Sequence, residues 1–222
     1  MTTNGNQKPG ARDNAGRAQT TDEGQPRRRG RPPTFDRNEA LRTAGELFQA
    51  HGYDAVGIAE LTDALGIKPP SLYAAFGCKR GLYQDAVALY AEERGNWVRD
   101  TLEGAGPLAD RIEALLVAAA ETYAASGDAR GCLILQGGRN ARDADVCAIT
   151  KSHREATAAY LRTVIARDRP DLASVLADDL MVQFHGLSAR AVDGVSKADL
   201  VAAARRAGAR FRGELKKSDD SA

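Results

Sequence analysis

Apolar residues recur every three to four positions along most of this chain, and no stretch shows the every-second-residue alternation of a strand. The pattern therefore predicts helices throughout. The first opens on Phe35-Asp36-Arg37-Asn38-Glu39. Asp36 is a good N-cap, Glu39 completes a capping box, and Leu41, Ala44, Leu47 and Phe48 make one apolar face before Gly52 ends the helix after His51. A short helix from Ile58 to Leu65 stops at Gly66, and a second short one opens on Pro69-Pro70 and runs through Phe76. A longer helix begins near Lys79 and carries Leu82, Ala86, Leu89, Tyr90 and Trp97 to about Glu103. Leu108, Ile112, Leu115, Leu116, Ala119 and Tyr123 stripe the next, ended by Ser126-Gly127. The stretch from Arg130 to Asn140 is interrupted by glycine and predicts part helix, part loop. Val146, Ile149, His153, Ala156, Tyr160 and Val164 stripe another long helix. Asp171 is placed to cap its successor, which buries Leu172, Leu176, Leu180, Phe184 and Leu187. Ser196 caps a last helix with Asp199 at its third position and Leu200, Ala204, Ala207 and Phe211 inward, and the polar tail after Leu215 frays. The fold class is all-α.

The segment from Ile58 to Leu82 organises this series. Two short helices joined by a glycine-containing turn form a helix-turn-helix, whose second helix is built to enter a DNA major groove. Leu61, Leu65, Ile67 and Leu72 close its small core. Lys68, Pro69, Pro70, Ser71, Ala74 and Ala75 are left on the outer face of the second helix. Lys68 and Ser71 can bond to bases or phosphates, and Pro70 and Ala74 can touch a thymine methyl. Tyr73 is assigned a phosphate contact through its hydroxyl, because Leu72 and Phe76 already fill the core role. Lys79 opens the next helix, where free N–H groups and the helix dipole favour a phosphate. Gly57, at the N-cap of the first short helix, has neither a side-chain acceptor for the cap nor a hydroxyl for a phosphate. Just upstream, Arg27-Arg28-Arg29-Gly30-Arg31-Pro32-Pro33 is the one dense basic run. An extended Arg-Gly-Arg-Pro arm suits a narrow minor groove, so Arg28, Arg29 and Arg31 join the candidate DNA contacts.

Composition narrows the classes. The 222 residues carry a net charge of +1, with 27% charged and 43% hydrophobic residues. A nonspecific architectural DNA protein would neutralise phosphates with a much larger excess of cations. No G-x-S-x-G, P-loop or H-E-x-x-H pattern and no metal-ligand spacing supports a helical enzyme, and no metal or cofactor is expected. No apolar run reaches a membrane span, no signal-peptide core is present, and three cysteines without paired spacing fit a reducing cytoplasm. Residues 1–26 hold almost nothing large and apolar and are expected to be disordered. The expected organisation is thus a tail over 1–26, a basic arm over 27–34, a helix-turn-helix domain over 35–82, a helical ligand-binding and dimerisation domain over 83–215, and a polar tail over 216–222.

At these residues the chain resembles the TetR/AcrR family of bacterial transcriptional regulators. The resemblance rests on the Gly-Arg-Pro arm, Ala44 to Phe48, Gly52-Tyr53, Ile58-Ala59-Glu60-Leu61, Leu65-Gly66-Ile67, Ser71-Leu72-Tyr73, Phe76, Lys79 and Leu82. It covers roughly residues 30 to 90. It implies that Tyr73 and Lys79 grip phosphates and that Pro69 to Ala75 read bases. The chain departs from the pattern at Gly57, where Thr or Ser is usual, and at Cys78, where Asp, Asn or Ser is common. More loosely, Arg130-Gly131-Cys132-Leu133 and Gly186-Leu187-Ser188-Ala189-Arg190 are like segments of one broad subgroup whose ligands vary.

A two-fold dimer would match palindromic half-sites about 34 Å apart. The last two long helices carry small residues that allow close approach, and Leu180, Phe184, Leu187, Ala203, Ala207 and Phe211 are the interface candidates. A small-molecule effector is expected to bind among the central helices, with Trp97, Tyr123, Gln136, His153, Tyr160, Phe184 and His185 as candidate liners. The function expected is a cytoplasmic, nucleoid-associated repressor released from a double-stranded operator by that effector. An alternative places redox or electrophile sensing at Cys78, where a helix start beside Lys79-Arg80 favours a thiolate. Cys132 and Cys147 are expected to be buried. A helical ligand-binding protein or enzyme without DNA function is the remaining alternative.

Overall fold

The computed structural model describes residues 36–124 and 129–219. These form α1 (Arg37–His51), α2 (Ile58–Leu65), α3 (Pro69–Phe76), α4 (Lys79–Leu102), α5 (Leu108–Ala124), α6 (Leu133–Gln136), α7 (Ala144–Ile165), α8 (Ala173–Val192) and α9 (Lys197–Asp219), with no strand among the described residues. The basic arm and the expected end of α5 at Ser126-Gly127 lie outside them.

Local chemistry sets most helix ends. The Asp36 carboxylate accepts from the backbone N–H groups of Asn38 at 2.9 Å and Glu39 at 3.1 Å. That satisfies two donors the first turn of α1 would otherwise leave open, a contribution of about 1 kcal/mol. Ser196 does the same for α9 by accepting from Asp199 N at 3.1 Å. Two ends differ from expectation. Leu172, not Asp171, occupies the N-cap of α8, and Asp171 is drawn away by Arg169, whose guanidinium donates to it at 2.8 Å. The last helix also continues past Leu215 to Asp219. Arg169 reaches across to the Leu215 carbonyl at 3.4 Å and the Ser218 hydroxyl at 2.5 Å, which fastens turns that would fray alone.

Two apolar cores are strung on α4. The first gathers Phe48 from α1, Leu61 from α2, Leu72 from α3 and Leu82 and Tyr83 from α4, and Leu133 of α6 and Val146 of α7 complete it. Phe48 is fully buried, with the Tyr83 ring edge-on to it at 5.0 Å. Truncating such a ring to alanine costs about 3–5 kcal/mol. The second core joins α5, α7, α8 and α9 around Leu115, Leu116, Leu161, Leu180 and Phe184 and takes in Leu102 at the far end of α4. Tyr90 and Ile134 pack against both cores. The short α6 is therefore wedged between the helix-turn-helix and the bundle.

Candidate nucleic-acid interface and ligand cavity

The turn between α2 and α3 is set by Gly66, which takes the left-handed conformation at φ 62° and ψ 28°. Only glycine, or with some strain Asn or Asp, adopts it cheaply. The following N–H of Ile67 returns to the Thr62 carbonyl at 3.0 Å, a Schellman-type closure that stops α2. Lys68 then caps α3 through its backbone, and Pro69 and Pro70 fill the first turn, where a missing N–H loses nothing. Leu72 and Phe76 anchor α3 in the first core. Lys68, Pro69, Pro70, Ser71, Tyr73, Ala74 and Ala75 are all exposed. Tyr73, at 46% exposure, is one of four large apolar side chains left in solvent among the described residues.

Three positions around this face gain detail from the packing. Lys79 is half-buried: its ammonium lies 4.2 Å over the Tyr53 ring, which itself stacks on Phe48 at 5.7 Å. Burial holds the Lys79 pKa below its usual value, against the pull of Asp54 and Glu60. Tyr53 is thus the cushion that positions this cation. Its signal in the sequence was only the Gly-Tyr pair after α1. Cys78 is exposed and caps α4, with its sulfur accepting from Gly81 N at 3.4 Å, so the thiol takes the place an Asp, Asn or Ser would hold. At Gly57 the N-cap of α2 is half-equipped: the Glu60 carboxylate accepts from Gly57 N at 3.4 Å, and glycine has no side chain to return the bond.

A cavity of about 410 Å³ opens among α4, α5, α7 and α8. Of the expected liners, Trp97, Tyr123, His153, Tyr160 and Phe184 come together there. Gln136 and His185 do not. Gln136 is turned to the Ser188 hydroxyl at 3.3 Å, and the His185 ring is bonded to the Met181 carbonyl one turn back at 2.7 Å. The Trp97 ring meets Tyr123 and Phe184 edge to face at 6.3 and 6.0 Å. Burial lowers the His153 pKa, favouring the neutral ring, and raises that of the Cys132 thiol in the same wall. The arginines of the wall, Arg94, Arg99 and Arg154, were not anticipated, because in the sequence they read as solvated helix faces. Cys147 is half-buried rather than buried, with its thiol donating to the Ala141 carbonyl at 3.2 Å.

Most of the interface candidates lie within the chain's own bundle. Leu180, Phe184, Leu187, Ala207 and Phe211 are at most 6% exposed inside the chain's own second core, and Ala203 is half-buried against it. An amphipathic stripe turns first to its own bundle, and a partner can meet only what is left outside. On α8 that outer face holds Val182 at 65% exposure, with Gly186 and Ala189 on the following turns.

Among the described residues no group of His, Cys, Asp and Glu could hold a metal ion, and no helix is long and apolar enough to cross a membrane. The family described as bacterial regulatory proteins, tetR family, matches residues 40–86, from α1 into the start of α4. The HTH-type transcriptional repressor BdcR of Escherichia coli K12 is 36% identical over 179 residues, covering 81% of this chain and 90% of that protein. The chain belongs to the TetR family. It is a DNA-binding transcriptional regulator of the helix-turn-helix type, a class of regulators and not of enzymes. The repressor ComR of the same bacterium is 47% identical over 64 residues, 29% of this chain and 30% of its own. Among solved structures, the TetR family regulator CifR, as a cysteine mutant bound to 26-bp operator DNA, superposes with a TM-score of 0.74 at 32% identity over 80% of this chain and 98% of that one.

Proposed function

We propose that this TetR-family protein is a dimeric repressor in the bacterial cytoplasm, released from its operator when a small molecule fills the cavity between α4, α5, α7 and α8. The observation that carries the reading is the outer face of α3. Seven residues in and beside one helix, Lys68 to Ser71 and Tyr73 to Ala75, are exposed while Leu72 and Phe76 hold the helix rigidly from below. In this reading Pro69, Pro70 and Ala74 meet base edges, Lys68 and Ser71 meet bases or phosphates, and Tyr73 and Lys79 grip the backbone. Gly57 brings the N-terminus of α2 to the phosphates, and Arg28, Arg29 and Arg31 enter the minor groove. Repression and operator binding in BdcR and CifR support it. Dimerisation through the outer face of α8 would hold two α3 helices one helical turn of DNA apart.

An effector can shift the operator-bound form only by its differential affinity for the two forms. The short α6 is a physical route for that difference. Its Ile134 and Leu135, with the N-cap Cys132, line the cavity, while Leu133 of the same helix is in the core of the DNA-binding domain. The Gln49 amide of α1 donates to the carbonyls of Ala129 at 2.6 Å and Gly131 at 3.1 Å. The test is a mobility-shift titration against the DNA upstream of the protein's own gene, with random competitor at fixed salt, followed by a genome-wide binding selection. A specific shift lost in Tyr73→Phe with Lys79→Ala is expected. Absence of any preferred site in the selection would refute the reading.

A further inference from the structure

The charges of the cavity, taken with its rings, define the class of molecule that it accepts. Trp97, Tyr123, Phe184 and Met181 give it an aromatic and flexible apolar lining. Arg94, Arg99 and Arg154 share that wall with a single carboxylate, Glu92. Among the described residues none of these three guanidinium groups has a carboxylate within ion-pair distance. Arg94 and Arg99 instead lie over the rings of Tyr90 at 5.7 Å and Tyr160 at 5.9 Å, which steers their planar heads along the wall. Arg154 is half-buried and donates to the Ile134 carbonyl at 2.8 Å. Burial, with Arg139 adding to it, holds the Arg154 pKa below its usual value. Arg94 and Arg99 stay exposed to water, so the cost of withdrawing a cation falls on Arg154 alone, and a ligand anion relieves it while also meeting the charge of the other two.

We propose that the effector is an amphipathic organic anion, with one acidic head group held by Arg94, Arg99 and Arg154 and an aromatic or branched apolar body against Trp97, Tyr123 and Phe184. This rests on the reading of the cavity as the effector site. A neutral apolar molecule would fill the same space without meeting the three cations with an anion, and a cationic one would be repelled.

Trp97 is the only tryptophan of the chain and lies in the wall, so its emission reports occupancy. The probes are 8-anilinonaphthalene-1-sulfonate and N-phenyl-1-naphthylamine, the same rings with and without an acidic group. Each is titrated into the full-length protein while tryptophan quenching is followed. The expected result is saturable quenching by both, with the anion bound at least roughly tenfold more tightly, about 1.4 kcal/mol. In Arg94→Gln with Arg99→Gln the anion should fall towards the affinity of the neutral dye. The neutral dye should bind that variant as before, which also shows that the cavity is intact. Equal or tighter binding of the neutral dye to the unaltered protein would overturn the anion proposal and leave the cavity as an effector site for neutral molecules. A preference for the anion that survives in the double variant would overturn it too. Quenching by neither dye would overturn the effector reading of the cavity itself.

Discussion

Gly81 and Gly213 both lie in helices, and the same change to alanine should move stability in opposite directions. At Gly213, in the exposed middle of the last turns of α9, a Cβ would meet nothing within 4 Å. Gly213→Ala should therefore gain close to the full propensity difference, about 0.8–1 kcal/mol. At Gly81, in the first turn of α4, a Cβ would stand 2.2 Å from the Phe76 carbonyl oxygen. That oxygen is backbone, and it already accepts from Cys78 N at 2.8 Å, so it cannot swing aside alone. Relief requires α3 and α4 to separate by most of an ångström, which disturbs Phe76 and Leu82 in the first core. Overpacking of this kind costs about 1–3 kcal/mol, more than the propensity gain at a first-turn position. The two variants should therefore differ by roughly 2–3 kcal/mol. For a chain of this size each kcal/mol is about 2–4 °C in Tm. Thermal unfolding followed by far-UV circular dichroism, at one fixed protein concentration, measures the difference. Because the clash acts at the α3–α4 junction, Gly81→Ala should also weaken operator binding, while Gly213→Ala should not. A Gly81→Ala protein as stable as the parent would show that the close approach of α3 to α4 is not a constraint, and the reasoning would fail.

Other expectations follow from the same geometry. Gly57→Ser places a hydroxyl at an N-cap with φ −88° and open space around it, so it should raise stability by roughly 0.5–1 kcal/mol in the same melts. Operator affinity should hold or improve in a mobility shift. Val182→Arg should yield a folded monomer by sedimentation, because Val182 is 65% exposed in the single chain and contributes little to its own core; a dimer of unchanged affinity would exclude this face. Arg169→Ala should loosen the end of α9 by about 1 kcal/mol, seen as roughly fivefold faster amide exchange near Leu215 to Ser218. Cys78→Ser keeps a capping atom on α4 and should match the parent in stability and DNA binding; if the parent loses its operator under oxidant, the serine variant should keep it.

Much of the molecule was readable because its determinants are local. Asp36, Gly52, Gly66 and Ser196 mark helix ends through bonds spanning a few residues, and the apolar spacing of α1 to α4 brought out the helix-turn-helix with its outward face. Legibility failed where two local solutions competed. Asp171 could have capped α8, but a neighbouring arginine claims it, and that choice depends on where α9 passes. The helix α8 is apolar on more than one side. Its sequence put Leu180, Phe184 and Leu187 on the buried side but could not say that the chain's own bundle, not a partner, covers them while Val182 and Gly186 are left outside. The cavity is the extreme case. Arg94, Arg99 and Arg154 come from two helices far apart in the chain, and in either helix by itself they are ordinary solvated charges. Only the packing of α4 against α7 brings them into the wall of one cavity, where Arg154 is half-buried and Arg94 and Arg99 remain exposed. The sequence by itself determined the helices, most of their ends and the class of regulator. The tertiary structure decided which apolar faces are free for a partner and which charges a ligand would meet.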